Sequence, residues 1–377
     1  MTEKSGLPCQ QTDRRFMEMA LTMARRGFGT TAPNPCVGAV IVDTRGVICG
    51  RGWTQPGGRP HAEVEALARA GDRARGATLY VTLEPCSHTG KSPPCADAVI
   101  KAGIRRVVVG LFDPDERVAG RGVERLKEAA IEVDEDVMAG EPALLKPALG
   151  HVLRIMEQRP FVQLKLATSR DGLIAPGEGK PVWVTGEQAR ARGHLLRAQA
   201  DAILVGAGTV RADNPSLDCR LPGLESRSPV RVVMDSQLSM SPQSAMLQMP
   251  QKAPVWIVHG GKAGSRTVKG LTGQGAQLIK VAKHKTNGLD LPQTLEALAA
   301  RGITRLLVEG GPTMARSFVK AKLVDEVVLF RGAQSLEGSG LSPFVDRGLE
   351  LLREEGFKEV DRRAVGPDEM QILAIGG

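Results

Sequence analysis

The stretch from His61 to Cys95, HAEVEALARAGDRARGATLYVTLEPCSHTGKSPPC, decides how the rest of the chain is read. Residues 61–69 read as a helix, 78–83 as a strand, and a second helix begins near Ala96, just after Cys95. His61 opens the first helix, Cys86 follows the strand, and Cys95 precedes the second helix. One nitrogen and two sulfurs form a three-ligand set that leaves the fourth tetrahedral position of a zinc ion to water, as in catalytic sites and unlike structural ones. Glu63, two residues past the histidine, can take a proton from such a water and return it to a leaving amine. That combination is hydrolytic deamination. Taken singly, His-x-Glu is ordinary helix surface and Pro-Cys is ordinary packing. Their order, with strand and helix placed between them, is what points to a zinc site.

Outward from this segment, strands and helices alternate. Phe16, Met19, Ala20, Met23 and Ala24 recur at helical spacing behind Thr12 or Asp13 as cap, with Gly27 as the stop. Strands are expected at 37–42, 47–53, 106–111 and 131–133, and helices at 96–102 and 122–130. A helix over 143–157 carries the chain out of this layered α/β domain, and the boundary falls at Arg159-Pro160, giving domains 1–159 and 160–377. The second domain has a different rhythm, with strands at 161–167, 202–205, 230–234, 254–258, 277–281 and 305–308. Its helices are expected at 187–198, 292–300 and 313–321, with Pro-, Ser- and Gln-rich loops at 216–227 and 239–252.

Composition narrows the function. Hydrophobic residues at 42% and charged residues at 24% are those of a folded globular chain, which excludes wholesale disorder. No apolar run approaches the roughly 18 residues of a spanning helix, and the polar first fifteen residues do not read as a secretory leader. Six cysteines in 377 residues are too sparse for a disulfide scaffold, so the expected compartment is the reducing cytoplasm. The net charge of +8 comes from basic residues scattered in pairs such as Arg14-Arg15 and Arg105-Arg106. With 3% aromatics and a single tyrosine there is little material for stacking unpaired bases, and small anionic ligands account for the charge equally well.

Two alternatives stay open at this level: a deaminase acting on a base in nucleic acid, and a structural zinc in an interaction module. Zinc deaminases of nucleobases carry H-x-E followed by P-C-x-x-C, whereas these two cysteines stand nine apart. The longer loop, carrying His88 and Lys91, suits a substrate bearing a phosphate. In the second half, Gly206-Ala207-Gly208-Thr209 and Glu309-Gly310-Gly311-Pro312-Thr313 read as glycine turns at strand ends. Neither is G-x-G-x-x-G, so a Rossmann dinucleotide fold is not supported. Phosphate binding on the backbone at Gly311–Ser317 and a plain tight turn stand equal.

The chain resembles the bifunctional pyrimidine deaminase/reductases of riboflavin biosynthesis from about residue 12 to its end. Thr31-Ala32-Pro33-Asn34-Pro35-Cys36-Val37-Gly38, His61-Ala62-Glu63-Val64, Thr82-Leu83-Glu84-Pro85-Cys86-Ser87-His88, and Asp113-Pro114 with Val118-Ala119-Gly120-Arg121-Gly122 match the deaminase half. Gln163-Leu164-Lys165-Leu166-Ala167, Asp171-Gly172, Trp183-Val184-Thr185, Leu196-Arg197-Ala198, Thr209 to Leu217 and Glu309 to Thr313 match the reductase half. The resemblance implies an N-terminal three-layer cytidine-deaminase-like domain and a C-terminal dihydrofolate-reductase-like domain, with Zn2+ and NADPH as cofactors. It implies that His61, Cys86 and Cys95 hold zinc, that Glu63 is the acid/base, and that Asn34, His88 and Lys91 contact the pyrimidine or its phosphoribosyl group. For NADPH it implies Ala167, Trp183, Thr209, Asp213, Ser236, Gly311, Pro312, Thr313, Met314, Ala315, Arg316 and Ser317. For the second substrate site it implies Pro181, Arg197, Leu217, Arg220 and Glu309, with Arg197 and Arg220 as phosphate clamps. The expected partner is a small phosphoribosyl pyrimidine, neither nucleic acid nor membrane, and the chain is expected to self-associate. Two residues depart from the family pattern: Thr54 replaces a histidine, and Pro181 replaces a serine.

Overall fold

The computed structural model describes residues 6–375 apart from 91, 116–118, 136, 139, 177–182, 250, 262–263, 285–287 and 337–339, with side chains from Gln11 onward. The chain divides into two units, Met1–Gln158 and Arg159–Gly377. In the first, the elements run α1 (Gly6–Ala24), β1 (Gly38–Val42), β2 (Ile48–Trp53), α2 (Ala62–Ala70), β3 (Thr78–Val81), α3 (Cys95–Lys101), β4 (Arg106–Val109), α4 (Arg121–Glu128), β5 (Glu132–Asp134), α5 (Pro142–Leu145) and α6 (Leu149–Met156).

The five strands form one sheet in the order β2-β1-β3-β4-β5. β1 runs antiparallel to both its neighbours, while β3, β4 and β5 are parallel. Side chains alternate across a strand, so both faces of the central strands are apolar and both are covered. Val40, Val42, Tyr80 and Val108 meet Met17, Ala20 and Leu21 of α1 on one face. Ala39, Ile41, Leu79, Val81, Val107 and Val109 meet the small residues of α2 and α3 and Val123 and Leu126 of α4 on the other. That is the expected three-layer unit. Close approach of α2 to the sheet depends on Gly52: a Cβ there would lie 2.2 Å from the carbonyl oxygen of Ala62. This approach sets the start of α2, where His61 and Glu63 sit.

The second unit contains β6 (Phe161–Thr168), β7 (Ala175–Pro176), α7 (Glu187–Ala198), β8 (Ala202–Gly206), α8 (Ala207–Asp213), β9 (Val230–Met234), β10 (Val255–His259), α9 (Ser265–Gly273), β11 (Gln277–Lys280), α10 (Leu291–Ala300), β12 (Arg305–Val308), α11 (Pro312–Lys320), β13 (Glu326–Arg331), β14 (Gly340–Leu341), α12 (Glu350–Glu354), β15 (Phe357–Val365) and β16 (Asp368–Ile375). Nine strands form one sheet in the order β11-β10-β9-β8-β12-β6-β13-β16-β15. It is parallel from β11 through β13, and the terminal hairpin β15–β16 joins antiparallel. Two cores cover its faces, one with α10, α11 and α12 and one with α7, α8 and α9. The carboxyl ends of β6, β8, β9 and β12 open along one edge, where open parallel sheets bind their ligands.

Several expectations are corrected. The first helix begins at Gly6, ahead of Thr12, so Asp13 lies inside it and is no cap. Asp13 is instead a buried acceptor, taking the Tyr80 hydroxyl at 2.7 Å and the Arg106 guanidinium at 3.0 and 2.7 Å. The expected helix over 143–157 is two helices, α5 and α6, interrupted around Pro147, which has no N–H to continue the ladder. The glycine turn after β8 is the start of α8. No helix among the described residues is long and apolar enough to cross a membrane.

Candidate active sites

In the first unit three backbone segments converge. His61 is the residue ahead of α2, with extended backbone (φ −71°, ψ 162°), and Cys95 is the first residue of α3. Cys86 lies on the connection between β3 and α3. The Cys86 sulfur is 3.7 Å and the Cys95 sulfur 3.3 Å from the His61 Nδ1, and the three ligand atoms all lie within 4.8 Å of one another. A tetrahedral zinc with ordinary Zn–S and Zn–N bonds would hold such atoms about 3.6 Å apart. The donor set therefore fits zinc in both chemistry and spacing. A hydrogen bond from Cys95 holds the Cys86 thiol down at about 4, against its burial. The same sharing, with burial, pushes Cys95 up. A metal ion that binds both sulfurs takes them as thiolates.

Glu63 is 3% exposed, with the Cys95 thiol and the His61 imidazole beside it. Burial pushes its carboxyl up to about 7, with His61 pulling the other way. A carboxyl poised near neutrality both takes and gives a proton at low cost. Asn34 is half-buried and donates from Nδ2 to the carbonyl oxygen of Gly58 at 2.8 Å, which ties its loop to the segment leading into His61. A Cβ at Gly58 would meet that same Nδ2 at 2.2 Å. His88 follows the Cys86 ligand by two residues, and its buried Nδ1 has no partner among the described residues. Lys91 lies outside the described residues.

Thr54, where the family pattern has a histidine, is 2% exposed, and its hydroxyl accepts the Val37 N–H at 3.1 Å. It is thereby tied into the sheet end. Two neighbours of the site carried no local signal in the sequence. Arg59 reaches Ser92 of the ligand loop, and no carboxylate among the described residues pairs with it. Glu84, 3% exposed, accepts backbone N–H groups from the segment leading into α4. Neither shows in the periodicity, because both act across the fold.

The second unit holds a cavity of about 360 Å3 at the carboxyl edge of its sheet. Of the residues expected at NADPH, Ala167, Trp183, Thr209, Asp213, Gly311 and Pro312 line it; of those expected at the substrate, Arg197, Arg220 and Glu309 do. Lys165, which belongs to the 163–167 motif but carries no assigned role, lines it as well, as do Arg190 and His194, which no motif includes. Thr313, Met314, Arg316 and Ser317 lie along α11 behind the wall, and no side chain caps the first turn of that helix. Its N-terminal N–H groups therefore suit a phosphate. Ser236 lies just beyond β9. The side chains of Ala315 and Leu217 are buried in the two cores, so only their backbones are on offer to a ligand. Pro181 lies outside the described residues.

Arg197 differs most from its expected use. Its Nε and Nη2 each donate at 2.9 Å to the two oxygens of Glu309, and its Nη1 donates to the Asp218 carbonyl at 3.1 Å. A fork so engaged is not free to clamp a phosphate; it holds Glu309 in place. Burial pushes the Glu309 carboxyl up, but Arg197 and Lys165 outweigh it and hold the group at about 2. His194 takes the Arg220 backbone N–H on Nδ1 at 3.3 Å. Burial, with Arg197 and Arg220 nearby, pushes this imidazole down. Its Nε2 lies 3.3 Å from the Arg220 guanidinium. Arg220, exposed at the rim, keeps donors for an anion.

Comparison with known proteins follows the same division. The model of the RibD C-terminal domain matches residues 160–363, and that of the cytidine and deoxycytidylate deaminase zinc-binding region matches 10–111. The Bacillus amyloliquefaciens riboflavin biosynthesis protein RibD is 43% identical over 345 residues, covering 92% of this chain and 89% of its own. The protein of that name from Escherichia coli K12 is 40% identical over 371 residues, covering 94% and 97%. Among solved structures, Acinetobacter baumannii RibD superposes with a TM-score of 0.85 at 33% identity, covering 98% of this chain and 100% of that one. The Thermotoga maritima diaminohydroxyphosphoribosylaminopyrimidine deaminase/5-amino-6-(5-phosphoribosylamino)uracil reductase gives 0.82 at 33%, with the same coverage.

Proposed function

The chain belongs to the RibD family of bifunctional riboflavin-biosynthesis enzymes, and from that premise we propose how its residues divide the two reactions. The enzyme is a zinc-dependent pyrimidine deaminase and an NADPH-dependent reductase in one polypeptide. Its substrate is a phosphoribosyl diaminopyrimidine, which loses an amino group by hydrolysis before its ribose is reduced to a ribityl chain. We assign deamination to residues 1–159 and reduction to 160–377.

The observation that carries the first assignment is the cluster of His61, Cys86 and Cys95 with buried Glu63 beside it. Zinc, when bound, activates water and polarises the reacting carbon–nitrogen bond. Glu63 moves the proton: its carboxylate accepts from the attacking water and, as the carboxylic acid, gives it to the departing amine, which leaves as ammonia. Asn34 orients the pyrimidine. His88 and Arg59 supply basic groups for the phosphoribosyl end, where a dianion needs them, and the family resemblance assigns Lys91 to the same group.

In the second unit the first turn of α11, with Thr209, Asp213, Ser236, Ala167 and Trp183, would hold NADPH. Hydride chemistry is the cofactor's own contribution. Glu309, fixed by Arg197, and the Lys165 ammonium face the ribose, and Arg220 takes the substrate phosphate. The same reading places the enzyme in the cytoplasm as a homo-oligomer, which sedimentation of the purified chain tests directly.

Metal removal separates the assignments. Dialysis against a chelator is expected to take ammonia release to background and to leave NADPH oxidation with deaminated substrate in place. Re-addition of zinc restores the first. Loss of both rates in parallel, with the second unit still folded by circular dichroism, contradicts the division.

A further inference from the structure

Glu84 sits two residues ahead of the Cys86 ligand, buried, and among the described residues no cation partners its side chain. Its carboxylate accepts four backbone N–H groups. Oε1 takes those of Gly122 at 2.8 Å and Val123 at 3.2 Å, and Oε2 takes those of Gly120 at 2.9 Å and Asp113 at 3.4 Å. Three of these belong to the start of α4. The residue at its cap position is Gly120, in a left-handed conformation (φ 83°), and it has no side chain to offer. The orphan N–H groups of a first turn are normally satisfied by a local Ser, Thr, Asp or Asn. Here the cap is delivered from the zinc-ligand segment, and a carboxylate at a helix N-terminus is also favoured by the helix dipole.

The contact is mutual. A Cβ at Gly122 would lie 2.0 Å from the carbonyl oxygen of Pro85, so α4 begins directly against the residue preceding Cys86. One turn on, Arg125 donates to the Ser87 carbonyl at 3.4 Å and pairs with Asp97 at 2.6 Å. Ser87 follows one sulfur ligand, and Asp97 lies two residues past the other.

We infer that Glu84 is a positioning residue of the deaminase: by capping α4 from the ligand segment it fixes where Cys86 stands relative to His61 and Cys95. This rests on the zinc assignment above. Groups that orient metal ligands typically contribute about 10- to 100-fold to metal affinity. Glutamine is the informative replacement, because its amide nitrogen would face N–H groups that the carboxylate now accepts.

The test uses the full chain loaded with zinc. Transfer of zinc to a chromogenic chelator is timed in the parent, in Glu84→Gln and in Gly122→Ala, and amide exchange is read at Gly120, Gly122 and Val123. Glu84→Gln is expected to give up zinc about tenfold faster, with those three amides exchanging faster, and NADPH oxidation with deaminated substrate unchanged. Gly122→Ala keeps the carboxylate but pushes α4 off Pro85, and is expected to lose zinc faster too. It serves as the second probe where Glu84→Gln does not fold. Parental zinc retention in either folded variant overturns the inference, as does faster zinc loss in Glu84→Gln with unchanged exchange at the three amides. A parent that binds no zinc overturns the zinc assignment instead, so the two failures are distinguishable.

Discussion

Glu63→Gln is expected to lower ammonia release by about a thousandfold, the order that a positioned acid/base contributes, and to leave the reductase rate unchanged. The amide fits the same space but cannot accept and return a proton. Zinc content should hold, because Glu63 is not among the three ligand residues. Glu63 is 3% exposed, so bulk water is poorly placed to substitute for the missing carboxylate. The decisive comparison is made on one preparation, with ammonia measured from the diaminopyrimidine ribonucleotide and NADPH absorbance followed separately with deaminated substrate. Near-parental ammonia release from a zinc-loaded Glu63→Gln enzyme would remove the residue from the chemistry.

The second large effect falls on the other unit. Arg197 and Glu309 form a two-pronged pair with side chains only 16% and 11% exposed. Arg197→Ala leaves a buried carboxylate with its main partner gone, which costs about 3–5 kcal/mol. It is therefore expected to lower the stability of residues 159–377 and to raise the KM for the reductase substrate, while ammonia release persists. The pH dependence follows from the same pair. Glu309 is held at about 2 in the folded chain against an ordinary 4.5. A group with a depressed folded value contributes its stability fully above the unfolded value and loses it as pH falls through the folded one. Acid melting of the parent should therefore steepen between about 4.5 and 2, and Glu309→Gln should flatten that limb. A double-mutant cycle on Arg197 and Glu309 with no coupling energy would show that the pair holds nothing in place.

Much of the fold was legible because its core strands are continuous apolar runs flanked by helices of clear period. The five strands of the first unit and the parallel strands from β6 through β12 fall within a residue or two of their expected places. What escaped is local for identifiable reasons. β15 carries Lys358, Glu359, Asp361, Arg362 and Arg363 at the edge of the sheet, a charged pattern that protects an edge and hides the strand. The break at Pro147 follows from the missing proline N–H and is written in the sequence. Asp13 looked like a cap because short acids often are; that it serves Tyr80 and Arg106 from inside the helix is visible only after folding. In the same way His61, Cys86, Cys95 and Glu63 could be read from spacing, since strand and helix placement alone brings them together. Arg197 could not, because its choice of Glu309 over a phosphate depends on a residue 112 positions away. Glu84 belongs to the same class: its four partners lie between 29 and 39 residues downstream.

One chain is expected to carry two separable reactions in a fixed order. A coupled assay on the zinc-loaded protein tests it most directly, with the diaminopyrimidine ribonucleotide and NADPH supplied together and ammonia and nicotinamide absorbance recorded in parallel. Ammonia is expected to rise first and NADPH to fall after a lag, with the lag abolished when deaminated substrate is supplied. Oxidation of NADPH that precedes or proceeds without ammonia release would contradict the account.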